Sequence, residues 1–557
     1  MKKYLKNTLK MLPLICVLLV SCNEEEFLKE EPLDFFDPGN SFVTVDNFES
    51  SLADLYAEKR DMHYGYSDYA FHLITGTDIF FNARESGDDS RFGSYVSVLN
   101  PTKGLTLYYW TQNYKIISNA NTIISRLAVA EISEGDKMKI EGEARLFRAL
   151  AYRDLVYLYG GVPLVIEEVT SPKTDFVRAS KEDVLNQIVA DASYAATNLP
   201  GITAVQDGRL SNLVAQHLLA ETYISLGDYN SAIAAASVVI EDPNTALMTQ
   251  RFGSLATEPG DVYWDLFRVG NQNRSSGNTE ALWVAQMEVD VPGGLLDGSG
   301  NGGNAYERYH VPATWTLNDP DGKNGFLGPR SDDNMGGHGV SFIRGTPFME
   351  STLWQNDFDG DMRNSSFNFK RTVTYDNPES AYFGKSAVDF PGTVIESANW
   401  RWYPWLTKVT TPGQHPTNLY IDQELKLLSN SSASTYRDQY YLRLAETYLL
   451  RAEAYLDNGN TTNAAADINI VRARSLAIPV SPGEVTLDYI LDERARELSF
   501  EEQRRITLQR TGKLVERVRK YNPWNSSEIQ DYHGLFPIPA KEIEANINGK
   551  LEQNPGY

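Results

Sequence analysis

A chain of 557 residues with 42% hydrophobic content can bury a large core, and a formal charge of −23 disfavours nucleic acid and anionic lipid surfaces as partners. Its two cysteines, Cys16 and Cys22, exclude a disulfide framework.

The N-terminus reads as an export signal. Lys2, Lys3, Lys6 and Lys10 precede a ten-residue apolar run, Met11 to Val20, too short to span a bilayer. The run ends in Leu19-Val20-Ser21-Cys22, which resembles the lipobox of bacterial lipoproteins. Residues 1–21 are then a lipoprotein signal peptide, and Cys22 is the first mature residue and the site of lipidation. Cleavage removes Cys16 and the four lysines, leaving no disulfide and a charge near −27. Residues 22–40 form a lipidated tether. Its Asn23-Glu24-Glu25-Glu26 resembles the signal that sends such lipoproteins to the outer face of the outer membrane. Because no second apolar stretch reaches transmembrane length, attachment rests on several acyl chains.

Residues 41–557 are expected to form one domain. Between Thr111 and Leu164 the pattern favours helices, with Phe147, Leu150, Ala151, Leu155 and Leu158 on one stripe. Gly160-Gly161-Val162-Pro163 stops that run. Ser180 caps a further helix to Leu199, with Lys181-Glu182-Asp183 in its first turn. Two later stretches share one spacing: Ala220, Tyr223, Gly227 and Ala232, then Ala452, Tyr455, Gly459 and Ala464. This is tetratricopeptide spacing, in which small alanines let paired helices approach, a tyrosine packs over them and glycine makes the turn. Leu487 to Leu508 reads as one more helix, rich in paired Glu and Arg. The expected fold class is all-α, with tetratricopeptide-like paired-helix repeats at about 105–250 and 436–520. Between them, about 251–435, lies a large irregular loop-rich insertion. Its stretch Val291 to Gly345 holds 13 of the 40 glycines, and seven of nine tryptophans lie between Trp264 and Trp405.

Six segments in order resemble the SusD/RagB family. They are Tyr114 to Asn121, Gly142-Glu143-Ala144-Arg145 through Pro163, and Gly208-Arg209-Leu210 into Ala220-Glu221-Thr222-Tyr223. Tyr441 to Glu446 with Ala452-Glu453-Ala454, and Glu493 to Leu498 with Phe500-Glu501, follow. Leu535-Phe536-Pro537-Ile538-Pro539 with the tail Gln553 to Tyr557 closes the set. The sequence departs from the family at Ile506-Thr507, where a tryptophan-aspartate pair is usual. The resemblance implies a non-enzymatic outer-membrane lipoprotein facing the exterior. Such a protein captures an oligosaccharide or polysaccharide, in some members a peptide, for a SusC-like TonB-dependent transporter.

Catalytic motifs are wanting. No nucleophile elbow, zinc-protease motif or phosphate loop appears, so no cofactor is expected. A surface glycosidase needs two well-placed carboxylates, but Glu493, Glu497 and Glu501 at i, i+4 spacing beside Arg494, Arg496 and Arg504 read as an ion-paired helix face. Asp319-Pro320-Asp321-Gly322 and Asp357-Phe358-Asp359-Gly360-Asp361 lack the ligand alternation of a calcium loop and read as turns, so no metal site is expected.

Sugar rings present apolar C–H faces and hydroxyls, so a glycan site mixes exposed aromatics with Asp, Asn and Arg. Tyr306, Tyr309, Trp315 and Asp319 in the glycine-rich insertion are the first candidates. Tyr64, Tyr66, Asp78, Phe81, Asn82 and Arg84 in the N-terminal loop are the second group; the resembling family has a ligand-facing loop near there. Trp283, in an apolar run, and Trp402 to Trp405, just ahead of a repeat, read as core.

Overall fold

The computed structural model describes residues 42–65, 69–84, 92–289, 303–327, 335–392, 400–432 and 434–557. The signal, Cys22 and the tether lie outside them. Thr44 opens α1 (Val45–Tyr64) through a capping box with Asn47. Five helices follow, α2 (Gly104–Leu127), α3 (Glu134–Tyr159), α4 (Lys181–Asn198), α5 (Asn212–Leu226) and α6 (Tyr229–Ile240). Beyond the insertion come α7 (Leu444–Asp457), α8 (Thr461–Arg474), α9 (Leu487–Leu498), α10 (Arg504–Arg510) and α11 (Leu514–Tyr521).

Helix α3 is largely buried from Ile140 to Tyr159, the charged Glu143, Arg148 and Asp154 included, because α2 and α4 flank it while α1 and α10 also touch it. The capping signals act as expected: Ser180 and Asp183 form a reciprocal box at α4. In both repeats the turn glycine is left-handed, Gly227 at φ 77° and Gly459 at φ 78°. Ala220, Ala232, Ala452 and Ala464 are all buried at the helix contacts. Helix α6 packs on α7, so the N- and C-terminal repeats join into one stack across the insertion.

Leu487 to Leu508 is not one helix. It breaks after Leu498, and Phe500 takes a left-handed φ of 65°. That turn drives the Phe500 ring into the core, 4.6 Å from Phe80 and 4.5 Å from His310. The acidic series is ion-paired as expected, and the pairs form a buried network. Glu497 pairs with Arg363, Arg443 and Arg474, Glu493 with Arg363, Arg472 and Arg496, and Glu501 with Lys408 and Arg443. Burial raises the Glu493 carboxyl, but the three arginines outweigh it and hold it at about 2. These pairs bolt the repeats to the insertion, since Arg363 and Lys408 belong to the latter.

The strands are short and antiparallel: β1 (Phe80–Asn82) pairs β3 (Ile343–Gly345), and β2 (Ala281–Ala285) pairs β8 (Gln439–Arg443). β4 (Phe369–Lys370) pairs β5 (Trp405–Leu406), and β6 (Tyr420–Asp422) pairs β7 (Leu427–Leu428). Trp283 on β2 is core as expected, stacked on Tyr441 at 4.0 Å.

Candidate ligand-binding face

The β1–β3 ladder brings the two candidate segments together. Asn82 lies opposite Ile343, and one residue on the Ala83 amide donates to the Phe342 carbonyl at 3.0 Å. The N-terminal loop and the glycine-rich insertion thus share one edge, a contact between segments about 260 residues apart.

Most of the expected ligand contacts turn out to be structural. Tyr306 and Tyr309 are each only 5% exposed: the first packs on Tyr64 and Phe500, the second on Phe71 and Phe342. Tyr64 is buried and donates to the Tyr440 carbonyl. Phe81 lies flat on Trp524 with ring centres 3.5 Å apart. Asp78 is fully buried between Arg504 and Arg517; burial pushes its carboxyl up, but both guanidiniums prevail and hold it at about 2. Asp319 is also buried, accepting from the Asp321 and Lys323 amides and from the Ser380 hydroxyl. All six are buried, with their rings and carboxylates turned to protein partners rather than to the surface. Tyr66 lies outside the described residues. Asn82 is mostly buried, its Oδ1 receiving the Arg84 amide.

Arg84 and Trp315 do reach the surface. The Arg84 Nε donates to the Val340 carbonyl at 2.7 Å, which lays the guanidinium over two rings, 4.9 Å from Phe342 and 4.7 Å from Trp400. Trp315 is half-buried and anchored by its Nε1, which donates to the Gly339 carbonyl at 2.9 Å. Beneath it lies a small cluster of Leu317, Phe326, Met335, Val373, Tyr375 and Ala387, which Trp402 and Tyr382 also cap. Trp402 meets the buried Trp405 edge-on at 5.6 Å and joins this cluster to a second one under Trp400. The face is therefore a set of three half-exposed tryptophans, Trp315, Trp400 and Trp402, with Arg84 among them, each fixed from behind.

Trp400 is new to the site, and Trp402 was expected to be core. Within Trp400-Arg401-Trp402-Tyr403-Pro404-Trp405, residues 400, 401, 402 and 404 are half-exposed while 403 and 405 are buried. Exposure alternates only from Trp402 into β5, and because the buried and the exposed positions are alike aromatic, the sequence pattern does not announce which rings face out.

Such a face can stack sugar rings and donate to hydroxyls. Glu307 is buried and accepts from the Thr411 amide and His415. Among the described residues, no group of three His, Cys, Asp or Glu side chains is arranged to hold a metal. The second Asp-Gly loop is a structural turn: Asp361 pairs with Arg363, and Asp357 accepts from the Ile478 amide.

The SusD family model matches residues 398–557, and a family described as starch-binding and associating with outer membrane matches residues 33–224. A SusD-like protein of Formosa agariphila is 24% identical over 562 residues, covering 95% of both chains. One from Bacteroides ovatus is 29% identical over 192 residues, 31% of this chain and 32% of its own. Among solved structures, a laminarin-binding SusD-like protein is 24% identical with a TM-score of 0.65, covering 92% of this chain and 99% of its own. Surface glycan-binding protein A from Bacteroides thetaiotaomicron, in complex with laminarihexaose, is 18% identical with a TM-score of 0.65, covering 91% and 99%. Both share this fold.

Proposed function

We propose, because the chain belongs to the SusD/RagB family, that it is a surface glycan-binding lipoprotein of the outer membrane. Anchored through Cys22, it captures an oligosaccharide and passes it to a SusC-like TonB-dependent transporter without cleaving it. The observation that carries this reading is the rigid mounting of Trp315, Trp400 and Trp402 around Arg84. Half-exposed indoles fixed from behind stack on sugar C–H faces without losing side-chain freedom on binding. The names of the two solved neighbours, one binding laminarin and one holding laminarihexaose, make a β-glucan a sensible first ligand to try.

Calorimetry on the full-length protein in a detergent without sugar headgroups tests this. Saturable binding to at least one glycan of a soluble panel, lost in Trp315→Ala and Trp402→Ala with the melt unchanged, is expected. Steady release of reducing ends from the bound glycan would show an enzyme instead. Binding confined to peptides would move the protein to the peptide-capturing side of the family.

A further inference from the structure

The loop 373–392 projects aromatic rings beside Trp315 and Trp402 that its own packing does not need. Val373, Tyr375 and Ala387 point inward and cover the small cluster, whereas Phe383 is 57% exposed and Phe390 42% exposed. Tyr382 caps the same cluster as the two tryptophans and stands 6.0 Å from Phe390.

This loop is built to hold those rings still. Tyr375 exchanges backbone hydrogen bonds with Lys385 and Gly384, and its hydroxyl donates to the Phe390 carbonyl at 2.9 Å. Asn377 Nδ2 reaches across to the Asn324 carbonyl at 2.7 Å, and Ser380 is tied to the buried Asp319. A Cβ on Gly392 would stand 2.0 Å from the Asn318 carbonyl, so the chain returns in direct backbone contact with the segment carrying Trp315.

Polar groups on the ledge are uncommitted. The Lys385 ammonium sits 5.1 Å from the Tyr382 ring centre and 4.9 Å from that of Phe390, and among the described residues no carboxylate pairs with it and the Tyr382 hydroxyl makes no hydrogen bond. A dry protein interface would bury an ammonium without a counter-ion, which is costly. A sugar supplies both an apolar ring face for the aromatics and hydroxyl oxygens for the ammonium and phenol. Glu379 and Asp389 on the same loop make it net unfavourable for a polyanion.

We infer that Tyr382, Phe390 and Lys385 form an outer stacking platform, continuous with the Trp315 and Trp402 face, that takes further residues of one neutral glycan chain. This rests on the glycan reading above and adds that the site recognises chain length. It makes the protein a receptor for oligomers or polymers rather than for mono- and disaccharides.

The test uses laminari-, cello-, xylo-, manno- and maltohexaose, each beside its disaccharide, titrated into the full-length protein. In the series that binds, the hexasaccharide is expected to bind at least tenfold tighter than the disaccharide. The double variant Tyr382→Ala/Phe390→Ala should abolish that ratio by bringing hexasaccharide affinity down to that of the disaccharide. Phe390→Ala alone, at an exposed position that leaves the fold intact, should reduce the ratio, and Tyr382→Phe should largely keep it. A wild-type protein that binds both lengths equally, or a double variant that keeps the ratio, overturns the platform while leaving the glycan reading in place. A wild-type protein that binds none of the ten overturns both.

Discussion

The guanidinium carbon of Arg84 stands 4.7 Å from the centre of the Trp400 ring and 4.9 Å from that of Phe342, while its Nε holds the Val340 carbonyl. One planar cation thus orients two aromatic rings and pins the strand segment between them. A cation stacked on aromatics contributes about 0.5–2 kcal/mol depending on desolvation. Arg84→Ala should therefore weaken glycan binding by roughly two- to thirtyfold. Arg84→Lys should not restore it, because an ammonium neither stacks flat nor keeps the fixed donor fork. Titration calorimetry on the three proteins decides this; a lysine variant binding like wild type would mean that only the charge matters.

The sequence made the repeats legible because their determinants are local. Gly227 and Gly459, the four alanines and Ser180 each act within a turn or two of their own position, and the structure uses all of them as expected. The site was legible only in part because its determinants are long-range. Tyr306 and Tyr309 looked like loop aromatics until the β1–β3 ladder closed over them, a pairing of residues 80–82 with 343–345 that no local pattern announces. Arg84 and Trp315 remained at the surface because each is held by a backbone carbonyl, Val340 and Gly339, just before that ladder. The paired Glu and Arg of α9 carry the helix pattern correctly but not their burial, which depends on Arg363, Arg443 and Arg474 arriving from elsewhere.

Removing one cation from that buried network should be severe. Arg443 serves Glu280, Glu497 and Glu501, and all four side chains are largely withdrawn from water. Arg443→Ala leaves three carboxylates short of a partner and is expected to cost about 3–5 kcal/mol. Lys137→Ala, which breaks an i, i+3 pair with the exposed Glu134, should change stability by less than about 0.5 kcal/mol. Chemical denaturation of both variants checks the contrast; equal effects would show that the network is not a joint.

Asp438 gives a pH dependence of defined sign. Burial pushes its carboxyl up to about 6, against the Met287 amide and Asn273 side chain that donate to it, while Glu288 and Asp207 add to the rise. The unfolded chain ionises near the ordinary value of about 4, so between roughly pH 4 and 6 the folded state holds the proton more tightly. Its contribution to stability is then full below about pH 4 and lost as pH rises through 6. Asp438→Asn should therefore stabilise the protein at pH 7.5 by roughly 1–2 kcal/mol and have little effect at pH 4. The new amide requires Asn273 to present its carbonyl, a flip its partner Gln286 can follow. Thermal melts at the two pH values measure it, and a variant that is destabilised at pH 7.5 would contradict the sign.

Gly339 connects the two stacking groups of the face. Its own carbonyl receives the Trp315 Nε1 at 2.9 Å, and the next carbonyl, Val340, receives Arg84 at 2.7 Å. A Cβ at Gly339 would stand 2.3 Å from the Val311 carbonyl and 2.7 Å from that of Pro312, both backbone atoms that cannot rotate aside. Gly339→Ala must then push this segment off residues 311–312 and carry both anchoring carbonyls with it. Stacking against a sugar tolerates little displacement, so glycan affinity is expected to fall at least tenfold. The repeat stack does not depend on this segment, and the melting temperature should drop by only a few degrees. Gly483→Ala, where an added methyl meets nothing within 4 Å, is the matched control and should bind like wild type. Tryptophan fluorescence provides a readout that needs no ligand: the emission of Gly339→Ala should shift as Trp315 loses its acceptor, while Gly483→Ala should not. If Gly339→Ala kept wild-type affinity despite a shifted emission, Trp315 and Arg84 would move without consequence, and the binding face would have to lie elsewhere on the molecule.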